Sequence, residues 1–130
     1  MKKLLILLTT VLIFSCNNNG EKDDPRDGYF TITPTVVNQV SHTVSLESSH
    51  SDDPKEVSVK CYYDSDTTSY PVTGLNWKEE DGGNPPDSTT WNPWINHLGA
   101  SSITYTGFVK GDNHGIVTIP ATPVTVPRNQ

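Results

Sequence analysis

Four histidines, two cysteines and several acidic runs are the groups in this chain that could do chemistry, and their spacing limits what that chemistry can be. His42, His50, His97 and His114 lie far apart, with no His-x-x-x-His pair and no cysteine beside any of them, so the spacing of a zinc site is not present. The runs Asp52-Asp53, Asp64-Ser65-Asp66 and Glu79-Glu80-Asp81 could offer oxygens to calcium. An EF-hand loop, however, needs a ligand at its fifth position and glycine at its sixth, and the run beginning at Asp64 carries Thr68 and Ser69 there. These runs read as solvated turns. No Gly-x-Ser-x-Gly elbow, phosphate-binding glycine loop or carboxylate pair distinct from turn chemistry is found. The sequence therefore assigns no catalytic residue, no metal site and no cofactor.

Two further groups could act by contact or by thiol chemistry. Cys61 alternates with Val57 and Val59 on one face of an apolar run, which suits a small core side chain better than a thiolate, since activation needs exposure and nearby positive charge. Trp91 and Trp94, in Trp91-Asn92-Pro93-Trp94 after a polar loop, are the candidate binding residues. Two close indoles offer large contact area at little entropic cost and can stack on sugar faces or anchor a protein partner. The competing reading is that one or both plug the open end of a sandwich.

Cys16 carries the most specific signal. Lys2-Lys3 forms a positive start, residues 4–14 are apolar apart from Thr9 and Thr10, and Ser15 is a small residue directly before Cys16. That is the layout of a signal peptide, and it is too short for the roughly twenty residues a spanning helix needs. Ile13-Phe14-Ser15-Cys16 resembles the lipobox of bacterial lipoproteins, Phe14 being a bulkier variant of the kind found in lipoproteins of the Bacteroidota type. The resemblance implies that residues 1–15 are removed and that Cys16, alkylated at its thiol, becomes the first residue and holds the protein on a membrane. More than one acyl chain gives stable anchoring, at about 0.8 kcal/mol per buried methylene. Residues 16–28 are polar, charged and aperiodic, as in a flexible tether. Within them Lys22, Asp23 and Asp24 resemble the short export tag that sends some Bacteroidota lipoproteins to the outer face of the outer membrane; without it the protein would face the periplasm.

The elements that would position these residues follow from composition. The net charge is −6, and losing Lys2 and Lys3 leaves seven basic residues against fifteen acidic, a net −8. The remaining Lys and Arg are scattered singly, which excludes the clustered cations of a nucleic-acid partner. Val, Thr, Tyr and Ser predominate, tilting the balance from helix to strand. Strands are expected over residues 29–33, 36–46, 57–63, 70–77 with a bulge at Gly74, 102–109, 115–119 and 123–126. Residues 79–90 read as a loop, 110–114 as a hairpin loop, and 92–99, with Pro93 and Gly99 as punctuation, as room for one short helical turn.

The expected fold is all-β, a small immunoglobulin-like two-sheet sandwich of about seven strands over residues 29–130. Cys61, Trp77 and Tyr105-Thr106-Gly107 fall in the order of the immunoglobulin Cys, Trp and Tyr-x-Cys landmarks, with Gly107 in place of the second cysteine. The expected function is that of a membrane-anchored envelope lipoprotein with a non-enzymatic binding or interaction module. The alternatives are a glycan-binding accessory lipoprotein of a nutrient-uptake system, with a glycan or an envelope protein as partner, and an envelope hydrolase or metal-dependent enzyme, which would need two of the histidines to converge with a carboxylate. Cells fed an alkyne fatty acid should label the wild-type chain in the membrane fraction. Cys16→Ala should lose the label and leave that fraction; labelling that survives the substitution would refute the assignment of Cys16.

Overall fold

The computed structural model describes residues 28–49, 54–82, 85–112 and 116–129. Residues 1–15, Cys16, the Lys22-Asp23-Asp24 run, His50, Asp52, Asp53 and His114 lie outside them. Among the described residues nine strands form two antiparallel sheets: β1 (Phe30–Val36), β2 (His42–Ser48), β3 (Pro54–Tyr63), β4 (Tyr70–Pro71), β5 (Trp77–Lys78), β6 (Ser88–Trp91), β7 (Ser102–Asp112), β8 (Ile116–Pro120) and β9 (Val124–Pro127). The first sheet runs β1-β2-β6; the second runs β4-β3-β7-β8, with β5 also on β3 and β9 also on β7. The protein is thus a β-sandwich. Strands β1, β2 and β6, and β3, β7 and β8, take the places of A, B, E and C, F, G in an immunoglobulin-like sandwich, with the short strands β4 and β5 joining β3 and β9 joining β7. Among the described residues no helix is long and apolar enough to cross a membrane.

Period-two alternation builds the core. Phe30 and Ile32 from β1 and His42 and Val44 from β2 face inward, opposed by Val57, Val59, Cys61 and Tyr63 of β3 and Ile103, Tyr105 and Val109 of β7 in the second sheet. Their neighbours along each strand are half-buried or exposed, apart from Thr104, as expected of strands with one wet face.

Several elements differ from the sequence expectation, each for a local reason. The apolar run 36–46 is not one strand. Val36 ends β1, and Asn38 Oδ1 accepts the N–H groups of Val40 and Ser41 at 2.9 Å each, closing a hairpin turn before β2. The expected strand 70–77 is interrupted by a turn in which Gly74 has φ +90°, so this glycine marks a turn and not a bulge. Across the gap Asn76 Oδ1 accepts the N–H of Val59 at 2.8 Å, and a side chain takes a place in the ladder where no strand runs. The polar loop 79–90 contains a 3-10 turn (Glu79–Asp81) and all but the last residue of β6. Residues 92–99 form no helix. They make two consecutive turns, with His97 N–H on Trp94 O at 2.9 Å and Ala100 N–H on His97 O at 3.1 Å. The immunoglobulin landmarks also shift, because Cys61 lies on the third strand and Trp77 on β5, while Tyr105 alone falls on the expected strand.

Gly107 has a different task from a missing cysteine. It pairs with Val59, and a Cβ added to it would lie 2.1 Å from the backbone oxygen of Ser58. Only a glycine allows β3 and β7 to approach this closely, and the two are the longest strands of the fold. Gly107→Ala should cost about 3 kcal/mol or more in urea unfolding, because backbone must move on a central strand pair. A loss below about 0.5 kcal/mol would show that the ladder accommodates the methyl group.

Candidate functional site

The register divides the molecule into two poles. The chain enters β1 where Phe30 pairs with Ser48, and β1 leads to the opposite pole, where Val36 pairs with His42 and His42 with Trp91. Tyr63 pairs with Ile103 at this second pole, and Ser102 with Pro127. Segment 92–100 crosses here from the first sheet to the second. Asn92 Oδ1 accepts the Trp94 N–H at 2.9 Å, and Asp64, which adopts φ +53°, accepts the N–H groups of Ser101 and Ser102 at 2.9 and 3.0 Å. Those bonds fix both ends of the crossing.

Trp94 is 2% exposed and sits inside this crossing. Its ring meets His42 edge-on at 5.7 Å and Tyr63 at 6.2 Å, and the Arg128 guanidinium lies 5.1 Å from its centroid. Trp91 is half-buried, with its Nε1–H donated to Tyr105 Oη at 3.1 Å. The two indoles therefore do not form an exposed platform. They close the end of the sandwich, because the space between the sheets at this pole needs large apolar side chains to fill it.

Beneath them lies a polar network. Tyr105 Oη accepts from Trp91 and lies 2.9 Å from His42 Nδ1, and His42 is 2% exposed. Indole can only donate, so the Tyr105 hydroxyl proton is satisfied by donation to an unprotonated Nδ1, which places the imidazole proton on Nε2. Burial lowers the His42 pKa and raises that of Tyr105, and both effects favour the neutral pair. Cys61 is fully buried with its thiol pushed up to about 11 by desolvation, the behaviour of a core side chain and not of a nucleophile.

The surface of this pole is a groove of about 290 Å³. His97 stacks on Tyr63 with ring centroids 3.8 Å apart and an interplanar angle of 16°, and Tyr70 packs edge-on against both at 4.8 and 5.9 Å. Asn92, Asn96 and Ile95 complete the working part of its lining. The groove is lined by Tyr70, Ile95 and His97, which the sequence expectation did not include, as well as by Trp91, which it did. His42 and His97 are separated by Trp94 and Tyr63, and among the described residues no group of three or more His, Cys, Asp or Glu gathers as a metal would require. The two acidic runs within the described residues are occupied as turns and ion pairs: Asp66 Oδ1 accepts the Thr68 N–H, which lowers the Asp66 pKa, and Glu79 bonds Lys55 at 2.8 Å. Comparison with protein-family models, curated proteins and solved structures returned no match.

The His42 assignment predicts a pH dependence. Its folded pKa lies below the ordinary 6.5, so the stabilisation is complete above about pH 6.5 and is lost as pH falls towards the folded pKa. The slope should reach at most about 1.4 kcal/mol per pH unit. His42→Gln should flatten that part of the stability profile in urea unfolding; an unchanged slope would place the titration elsewhere.

Proposed function

We infer that the chain is a lipid-anchored envelope lipoprotein whose β-sandwich is a non-enzymatic binding module, and that its contact surface is the pole bearing Tyr70, Ile95 and Leu98. One observation carries this reading. Seven large apolar side chains are prominently exposed among the described residues, and six of them, Val36, Val37, Val40, Tyr70, Ile95 and Leu98, lie at the pole away from the entry of the chain, with Tyr29 alone at the other. Single exposed apolar residues are ordinary, but clustering of this kind marks interaction surfaces. Ile95 and Leu98 are 66% and 73% exposed, so no packing demand of the sandwich accounts for them.

The orientation fits anchoring through Cys16. The chain enters the domain at the pole opposite the apolar one, so a lipid on Cys16 would be attached at the end away from the contact surface and leave it unobstructed. Lys22, Asp23 and Asp24 support placement of the anchored protein on the outer face of the outer membrane. The groove's lining of aromatics, carboxamides, prolines and isoleucine is suited to holding a partner in place.

In-cell photocrosslinking tests the reading on the full chain. With p-benzoylphenylalanine in place of Ile95, irradiation should give a discrete adduct, and with the same residue in place of Thr118, exposed on β8, it should not. Equal adducts at both positions, or none at Ile95, would overturn the assignment of the pole.

A further inference from the structure

The groove beside Tyr70 differs in charge from its surroundings. Among the described residues no Lys, Arg, Asp or Glu lines it, in a chain of net charge −6, whereas a second groove of about 490 Å³ is lined by Lys55, Glu56, Lys78, Glu79 and Glu80. An ionic ligand gains no counter-charge from such a lining, and the groove is matched to an uncharged one. Its volume is just below the roughly 300–1,000 Å³ that encloses a drug-sized molecule. It therefore holds one ring or a short segment and leaves the rest of a longer ligand outside.

Ring geometry narrows the guest. Tyr63, Tyr70 and His97 pack against one another at 3.8 to 5.9 Å, which leaves no gap for a guest between them and excludes an aromatic cage around a quaternary ammonium. A ligand meets the outer surface of the cluster, where Tyr70 is 37% exposed.

The polar atoms narrow it again. Asn92 Oδ1 is taken by the Trp94 N–H, which leaves its Nδ2 as a donor, while the Asn96 carboxamide and the His97 ring nitrogens make no hydrogen bond among the described residues. Carboxamide and imidazole each offer a donor and an acceptor. A proline-rich peptide also docks on aromatic grooves, but its carbonyls only accept and would leave the acceptors of Asn96 and His97 unmatched. A sugar hydroxyl both donates and accepts, and the apolar C–H face of a pyranose suits an aromatic ring.

We propose that this groove is a subsite for one ring of a neutral glycan, with Tyr70 against the ring face and Asn92, Asn96 and His97 bonding its hydroxyls. The assignment rests on the reading of the domain as a binding module and names its ligand class. The test titrates the isotope-labelled full chain with hexamers of glucose, mannose, galactose, xylose and N-acetylglucosamine at millimolar concentration, with hexagalacturonate and hexaproline as comparators. At least one neutral hexamer should shift the side-chain amide resonances of Asn92 and Asn96. Asn96→Ala, at an exposed position, should weaken binding about tenfold or more with the unfolding midpoint unchanged, and Tyr70→Ala should weaken it as much while unfolding stays cooperative. Silence from all five neutral hexamers, binding that survives both substitutions, or a preference for hexaproline or hexagalacturonate would overturn the proposal. An adduct at Ile95 alongside any of these results would leave the binding module standing and remove only its glycan.

Discussion

One buried hydroxyl joins the two sheets of this molecule. Tyr105 Oη, on β7, is where Trp91 of β6 and His42 of β2 meet, so three strands from both sheets are tied at one atom. A buried polar group is costly when left unpaired, by about 1–3 kcal/mol, and both Trp91 Nε1–H and His42 Nδ1 are paired here through Tyr105 Oη. The consequence reaches the surface. Trp94 packs against His42 from above and Tyr63 stacks beneath His97, so the groove rests on aromatic side chains whose positions derive from that network.

How much of this could be read from the sequence depended on whether a residue's environment is set by its own strand or by a distant one. The alternation Val57, Val59, Cys61 identified β3 and its buried face, since a strand with one wet side imposes period two locally. The run Ser88-Thr89-Thr90 gave no such signal, because β6 is half-exposed and takes its place through pairing with β2. Val36, Val37 and Val40 looked like strand interior, yet Asn38 closes a turn among them, and their apolar character belongs to the surface of the pole. Segment 92–99 carried Pro and Gly in helical positions, but the need to cross between sheets within a few residues allowed only tight turns. The candidate site was legible in part. Trp91, Asn92 and Pro93 do line the groove, while the choice of which aromatics face solvent was made by packing against Tyr105 and His42, tertiary facts with no local signature.

The edges of the sheets are handled by a different device. The Ser49 N–H bonds Tyr29 O, which fixes the alternation along the β1–β2 ladder and makes Pro34, opposite Val44, a member of a non-hydrogen-bonded pair. Its nitrogen therefore faces the open side of β1, where a proline removes the donor that another strand would need. Strands β4, β8 and β9, also at edges, contain Pro71, Pro120 and Pro127. Proline at an edge blunts strand-to-strand association, and a sandwich with a free apolar pole has particular use for it.

The opposed poles also have a mechanical meaning. A load applied between residue 28 and segment 92–100 runs along the strand axes, pulling β1 lengthwise against β2 over the full register from Phe30 to Val36. Hydrogen bonds perpendicular to the pull must then give way together instead of one at a time. The sandwich is thus braced in shear along the line that joins its point of entry to its groove, and an object gripped at one end can be held against drag without peeling the fold open from its first strand.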